Sequence, residues 1–186
     1  VNFWQKLDKP IIALAPMAGI TDSAFRLICR DFGADVVYSE MVSAEGLFYG
    51  KHSHSGRRHL QMSPSEELIR FSKKERPIVI QLFGKDPKAF ASAVAFLNGS
   101  GVDGIDINFG CPARKVFGHG GGASLMSQPK LAHQIIKAVV DNSKLPVSLK
   151  FRTKVKGVTA LDFIKAVKDL PIACVMVHGR TYEQGF

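Results

Sequence analysis

Cysteine is scarce in this chain and has no pairing pattern. Cys29, Cys111 and Cys174 are an odd number across 186 residues, and no two stand in a C-x-x-C spacing. That excludes a disulfide framework and a cysteine-built zinc site, and it fits a reducing compartment such as the cytoplasm. No apolar run approaches the ~20 residues that a membrane-spanning helix needs, so no membrane association is expected. The opening residues Val1-Asn2-Phe3-Trp4-Gln5-Lys6 have none of the features of a signal peptide. Acidic side chains are outnumbered, 16 against 25 basic ones, for a net charge of +9. That balance suits a polyanion such as RNA, although an ordinary soluble basic protein carries it too. With 46% apolar and 22% charged residues, the composition is that of a globular chain.

What is present is an alternation of short apolar runs with helical periods. Ile11-Ile12-Ala13-Leu14-Ala15-Pro16 reads as a buried parallel strand. Thr21 is expected to cap a helix whose apolar face is Phe25, Ile28 and Phe32, stopped by Gly33. Further strands are expected over 36–41, 77–84, 104–109, 146–153 and 174–180. Helices are marked by Asp86-Pro87, by Pro129, and by a capping box of Thr159 with Asp162 that opens a face of Leu161, Ile164 and Val167. Residues 42–76 are the hardest to read, with a short helix over 43–49 and either a helical turn or an extra strand over 66–71. Within them, Lys51-His52-Ser53-His54-Ser55-Gly56-Arg57-Arg58-His59 is basic. Its three histidines have no carboxylate or cysteine beside them, so no metal is expected; a solvated loop and an RNA-phosphate contact both fit.

Six strands alternating with helices leave two architectures, an open doubly wound sheet and a (β/α)8 barrel. The first turn, Pro16-Met17-Ala18-Gly19, is not a G-x-G-x-x-G loop, which argues against a dinucleotide-binding sheet. Gln81, Asn108, Cys111, Lys150 and His178 fall near the ends of four successive strands, as a barrel active site requires. A barrel needs eight strands, and the sequence stops at Phe186 just after the sixth. It also begins at Val1 rather than Met. The expectation is therefore about six βα units of a longer protein.

The organising stretch is Gly104-Ile105-Asp106-Ile107-Asn108-Phe109-Gly110-Cys111-Pro112, which sets a cysteine on the turn past a strand. Cys111 could be a buried plug, a nucleophile or a general acid. Asn108 could hold loop backbone or read a base edge. Asp106 could fix the neighbouring loop. Lys150 and Arg152 share one strand face, where a cation needs either an ion pair, with Asp106 or Glu40, or a bound anion. The glycines of Gly118-His119-Gly120-Gly121-Gly122 suit an open loop that lets a ligand approach backbone.

Leu14-Ala15-Pro16-Met17-Ala18-Gly19-Ile20-Thr21-Asp22, Gln81-Leu82-Phe83-Gly84, Asp106-Ile107-Asn108-Phe109-Gly110-Cys111-Pro112 and Leu149-Lys150-Phe151-Arg152, in that order, resemble the tRNA-dihydrouridine synthases. The resemblance implies an FMN-dependent TIM (β/α)8-type barrel followed by a smaller helical domain that helps hold tRNA. Residues 1–186 would then be an incomplete barrel domain, lacking its last strands and the helical domain. It further implies NADPH as electron donor and a cytoplasmic protein, with a monomer expected at full length. Pro16, Met17, Ala18, Gln81, Lys150 and His178 would contact FMN. Cys111 would be the catalytic acid, and Asn108 and Arg152 would lie near the target uracil. A flavin barrel acting on a free dihydropyrimidine, like a dihydroorotate dehydrogenase, and a non-catalytic RNA-binding remnant are the competing readings.

Overall fold

The computed structural model describes the backbone of residues 2–52 and 63–185 and the side chains of 2–49 and 63–185. In chain order the elements are α1 (Ser23–Asp31), β1 (Val37–Ser43), α2 (Ala44–His52), α3 (Pro64–Glu67), β2 (Ile78–Phe83), α4 (Pro87–Leu97), β3 (Gly104–Phe109) and α5 (Arg114–Gly118). They continue with α6 (Pro129–Asn142), β4 (Val147–Arg152), the small hairpin β5 (Lys154–Val155) and β6 (Val158–Thr159), α7 (Ala160–Val167) and β7 (Cys174–His178).

One parallel sheet carries the fold, in the order β1-β2-β3-β4-β7. Each long strand joins the sheet beside the one before it, and the order never reverses. A doubly wound sheet reverses at its switch point, so this sheet is an arc of a (β/α)8-type barrel. Strand alternation sorts the side chains. Ile105, Ile107 and Phe109 of β3, with Leu149 and Phe151 of β4, pack with Phe90, Val94 and Leu97 of α4 and Ile135 and Val139 of α6. The residues between them, Asp106, Asn108, Ser148, Lys150 and Arg152, face the inside of the arc. There Trp4, Val36, Tyr38 and Val79 close the end nearer the strand starts.

The helix starts follow local chemistry. Asp86 accepts from Lys88 N at 2.9 Å ahead of Pro87, and Thr159 and Asp162 form the expected capping box. Segment 64–67 is a single helical turn capped by Ser63, not a strand. The helix of α1 is capped by Asp22, whose carboxylate accepts from Phe25 N at 2.8 Å; Thr21 is turned back on Met17 instead. Gly33 follows α1 with φ +92°.

Three expectations besides the Thr21 cap are corrected. Residues 11–16 form no strand: Ala13 makes a single parallel bridge to Val36, and Leu14 N donates to Val36 O at 2.9 Å. The Asp35 carboxylate takes the Ile12 N–H at 2.7 Å, and Ile12 is 61% exposed, so the run is not sandwiched between two layers. The apolar face expected of α1 points outward, with Ile28 53% and Phe32 89% exposed. Of the face expected of α7, Ile164 and Val167 pack on the core as expected, but Leu161 is exposed and Phe163 packs in its place.

What α1 buries is Arg26, 2% exposed. Its Nε lies 2.5 Å from Glu75 Oε2, and its other donors reach Thr21 O (2.7 Å) and Arg70 O (2.9 Å). Ser23 Oγ and Ser72 N donate to the same Glu75 carboxylate, each at 2.7 Å. A buried pair whose carboxylate accepts three hydrogen bonds is costly to halve. In the full-length protein Arg26→Leu is expected to destabilise by about 3–5 kcal/mol, because it strands a buried carboxylate. Denaturant unfolding checks this, and a midpoint equal to wild type would show that Glu75 is not held by Arg26.

Candidate functional site

The strand ends β3, β4 and β7 and the loop 16–20 enclose a cavity of about 450 Å³. Pro16, Met17, Ala18, Asn108, Cys111, Lys150, Arg152 and His178 all line it, joined by Met41 of β1. Of the residues expected at the site, Gln81 alone does not line the cavity: it is fully buried behind Asn108.

The loop from Pro16 is held by Thr21, whose Oγ1 both accepts from Met17 N (3.2 Å) and donates to Met17 O (3.1 Å). Gly19, at φ +72°, turns its N–H onto the Glu40 carboxylate of β1. Asp106, Asn108 and Lys150 reach the site through the sheet register, which pairs Gln81 with Asp106, Asp106 with Ser148 and Asn108 with Lys150.

Asn108 works inside the protein on both ends of its amide. Its Nδ2 donates to Gln81 Oε1 (2.8 Å) and towards Met41 Sδ (2.9 Å). Its Oδ1 accepts from Gly110 N (3.0 Å) and Cys111 N (2.9 Å). The asparagine therefore holds the loop backbone while one side of it faces the cavity. Cys111 O accepts from Ala123 N at 3.1 Å, which fixes the loop from the other side. The glycine segment is not the open loop expected. Gly122 is buried at φ +57°, and a Cβ on it would come within 2.9 Å of Cys111 O. His119 is turned to the Lys115 carbonyl.

The cations divide by role. Arg152 is buried and bridges loops, donating to Gly110 O (2.8 Å), Thr181 O (2.7 Å) and Gly185 O (3.0 Å). Lys150 is half-buried, and among the described residues it forms no ion pair with a carboxylate. Burial lowers the Lys150 ammonium's pKa; Asp106 opposes that shift and Arg152 adds to it. Burial, then Arg152, Lys150 and Arg180, lower the His178 pKa, which favours a neutral imidazole whose Nδ1 accepts from Arg180 N at 3.1 Å. The arrangement offers a thiol, an ammonium without a carboxylate partner and a mostly uncharged imidazole against Met17 and Met41. It suits a flat ligand that carries negative charge on one edge.

Met41 and Ser148 escape the sequence reading, which takes Gly122 only as one glycine of an open loop. Ser148 stands two before Lys150 on the same face, a signal that period-2 reading offers once the strand is assigned. Two other cavities, of about 520 and 490 Å³, lie around Arg70 and Arg76 and around Lys85 and Lys115. Among the described residues no group of three His, Cys, Asp or Glu is placed to hold a metal ion, and no helix is long and apolar enough to cross a membrane. The basic segment 51–59 lies outside the described residues, save for backbone at 51 and 52 within α2.

A family model described as dihydrouridine synthase matches residues 13–186. The chain is 36% identical over 179 residues to tRNA-dihydrouridine synthase B of Xanthomonas axonopodis, covering 95% of this chain and 51% of that protein. It is 37% identical over 183 residues to tRNA-dihydrouridine synthase B of Vibrio vulnificus, covering 97% and 53%. A probable tRNA-dihydrouridine synthase of Aquifex aeolicus is 35% identical over 186 residues, with 98% and 55% covered. The chain thus spans about half the length of the curated relatives it matches.

Burial pushes the Asp106 carboxyl up to about 7, against the Ser148 and Gln81 hydrogen bonds and the Lys150 charge, which favour the carboxylate. An acid with a raised folded pKa binds its proton more tightly folded than unfolded. Its contribution to stability is full below the unfolded value of ~4 and is lost as pH rises through about 7. Asp106→Asn is expected to remove that slope, so that wild type loses stability relative to the variant between pH 4 and 8. Denaturant midpoints of the full-length proteins across that range check it; parallel profiles would show that Asp106 titrates as it does in the unfolded chain.

Proposed function

The chain belongs to the dihydrouridine synthase family, and from that premise we propose that the full-length protein reduces the C5–C6 double bond of uridines in tRNA, with FMN resident in the barrel and NADPH as electron donor. The observation that carries the reading is the meeting of Cys111, Lys150 and the Pro16–Ala18 loop in one cavity at the strand ends. The fit to a flavin rests on the half-buried ammonium with no carboxylate partner among the described residues, the neutral-leaning His178 and the methionine walls.

FMN, when bound and reduced, supplies a hydride to C6 of the uracil. Pro16, Met17, Ala18, Lys150 and His178 hold the cofactor, and Gln81 supports that wall from behind Asn108. Lys150, which lines the cavity, would set a positive charge beside a bound anionic flavin, a preorganised electrostatic role. Cys111 keeps its thiol proton until the base is in place and gives it to C5 as a general acid. Hydride at C6 and proton at C5 together account for the two hydrogens of the product. Asn108 and Arg152 hold the backbone of the Gly110–Cys111 turn and line the cavity where the uracil would enter. The target base has to leave its stack to reach such a cavity, and basic surface holds the tRNA backbone. Residues 1–186 form the N-terminal part of the barrel domain. The remaining strands and a helical tRNA-binding domain lie in the rest of the protein, a cytoplasmic monomer.

Cys111→Ala in the full-length protein is expected to keep FMN and its reduction by NADPH while losing about 10²–10⁴-fold in dihydrouridine formation. Wild-type turnover by this variant would remove the thiol from the chemistry, and turnover of free dihydropyrimidines in place of tRNA would reassign the substrate. Lys150→Met is expected to weaken FMN binding and lower the flavin's reduction potential, because the anionic reduced form loses a cation of the cavity wall. Spectroelectrochemical titration reads the potential directly; an unchanged value would leave Lys150 a purely structural residue.

A further inference from the structure

The inner face of the arc carries one continuous run of hydrogen bonds across three strands. Ser148 Oγ donates to Asp106 Oδ1 at 2.6 Å, and Gln81 Nε2 donates to Asp106 Oδ2 at 2.6 Å. Asn108 Nδ2 donates to Gln81 Oε1 at 2.8 Å. Asn108 Oδ1 then accepts from the backbone N–H of Gly110 and of Cys111. Gln81 and Asp106 are fully buried, so water does not substitute for a missing partner between them; Asn108 is buried too, with one side on the cavity.

We propose that Asp106 is a positioning residue: by presenting an accepting oxygen to the Gln81 NH₂, it sets which way the Gln81 and Asn108 amides face, and so holds the turn that carries Cys111. Each amide has a donor end and an acceptor end of nearly the same shape, so its orientation is decided by its neighbours. Asp106 demands the NH₂ of Gln81. That leaves Gln81 Oε1 to be met, and among the described residues the NH₂ of Asn108 meets it. Asn108 Oδ1 is then committed to the two loop N–H groups. Reversing any one amide would bring two donors or two acceptors face to face in a dry site. The Gln81 backbone is pinned independently, its N–H donating to Ser39 Oγ at 3.1 Å. Ser148 does not set the polarity, because its hydroxyl rotates to donate or accept. It matters only if position 106 acquires a donor.

That last point supplies the test. Asp106→Asn can keep Oδ1 towards Gln81 and turn its NH₂ to Ser148 Oγ, so the polarity survives. Asp106→Leu removes the demand altogether. Asp106→Asn combined with Ser148→Ala removes the partner that orients the new amide. The readout is the rate of iodoacetamide alkylation at Cys111, followed by peptide mass spectrometry in the full-length holoenzyme. It is accompanied by kcat and KM for tRNA and by the unfolding midpoint.

Asp106→Asn and Ser148→Ala alone are expected to alkylate Cys111 at nearly the wild-type rate. Asp106→Leu and the double variant are expected to change that rate and to lose up to about 10²-fold in kcat with little change in KM, as misplacement of a reacting group does. Should Asp106→Leu fail to fold, the double variant decides. An additive double variant, or a folded Asp106→Leu with wild-type alkylation and kcat, would overturn the proposal. So would an Asp106→Asn as impaired as Asp106→Leu, because charge rather than bond direction would then be the cause. The kinetic arm rests on Cys111 as proton donor. The alkylation arm does not, so loss of that reading leaves the positioning of the turn still measured.

Discussion

A polar side chain on the inner face of a parallel sheet has to be answered by its neighbours in register, because the backbone donors are already used by the sheet. Here the register sets Gln81 beside Asp106, Asp106 beside Ser148 and Asn108 beside Lys150. A slip of one residue in β3 would turn Asp106 and Asn108 into the helix-side core and bring Ile105 and Ile107 inside. The apolar residues packed on the helices and the polar residues facing the cavity are thus two outcomes of one constraint. Shifting the site means shifting the core.

The same strands gather positive charge. Lys150 and Arg152 follow one another on the inner face of β4, with His178 opposite Arg152 on β7 and Arg180 just beyond it. Like charges so close are held apart in function by what each one touches. Arg152 is engaged with three loop carbonyls, and His178 is held towards its neutral form by burial and then by the cations around it. Among the described residues Lys150 forms no ion pair with a carboxylate. Asp106, the carboxyl whose field it feels most, is itself buried and reluctant to ionise.

Most of the sheet was legible because its signals are local. Ile105 and Ile107 alternate with Asp106 and Asn108, and Asp86-Pro87 and Thr159 with Asp162 mark helix starts that the structure has. The expected site residues other than Gln81 also meet at one cavity, since strand ends of a barrel converge. What was misread depends on distant partners. Nothing near Arg26 announces Glu75, 49 residues on, yet that pair decides which face of α1 turns inward. Ile28 and Phe32 have helical spacing but no layer over them. Ile11–Pro16 has the composition of a buried strand, but Asp35 takes an N–H that a sheet would have used. Gln81 sits at a strand end as expected, and only the packing of Asn108 in front of it hides it from the cavity.

Gly122 has a consequence for how variation in this stretch would be read. Gly118 has open space where a side chain would go, whereas at Gly122 a Cβ would meet Cys111 O at 2.9 Å and Cys111 Cβ at 3.1 Å, on backbone already at φ +57°. A randomised library over residues 118–122 would therefore be filtered unevenly. Changes at Gly118 would pass unnoticed, and changes at Gly122 would displace the thiol from behind. Such clones would be scored as active-site defects although every side chain facing the cavity was intact.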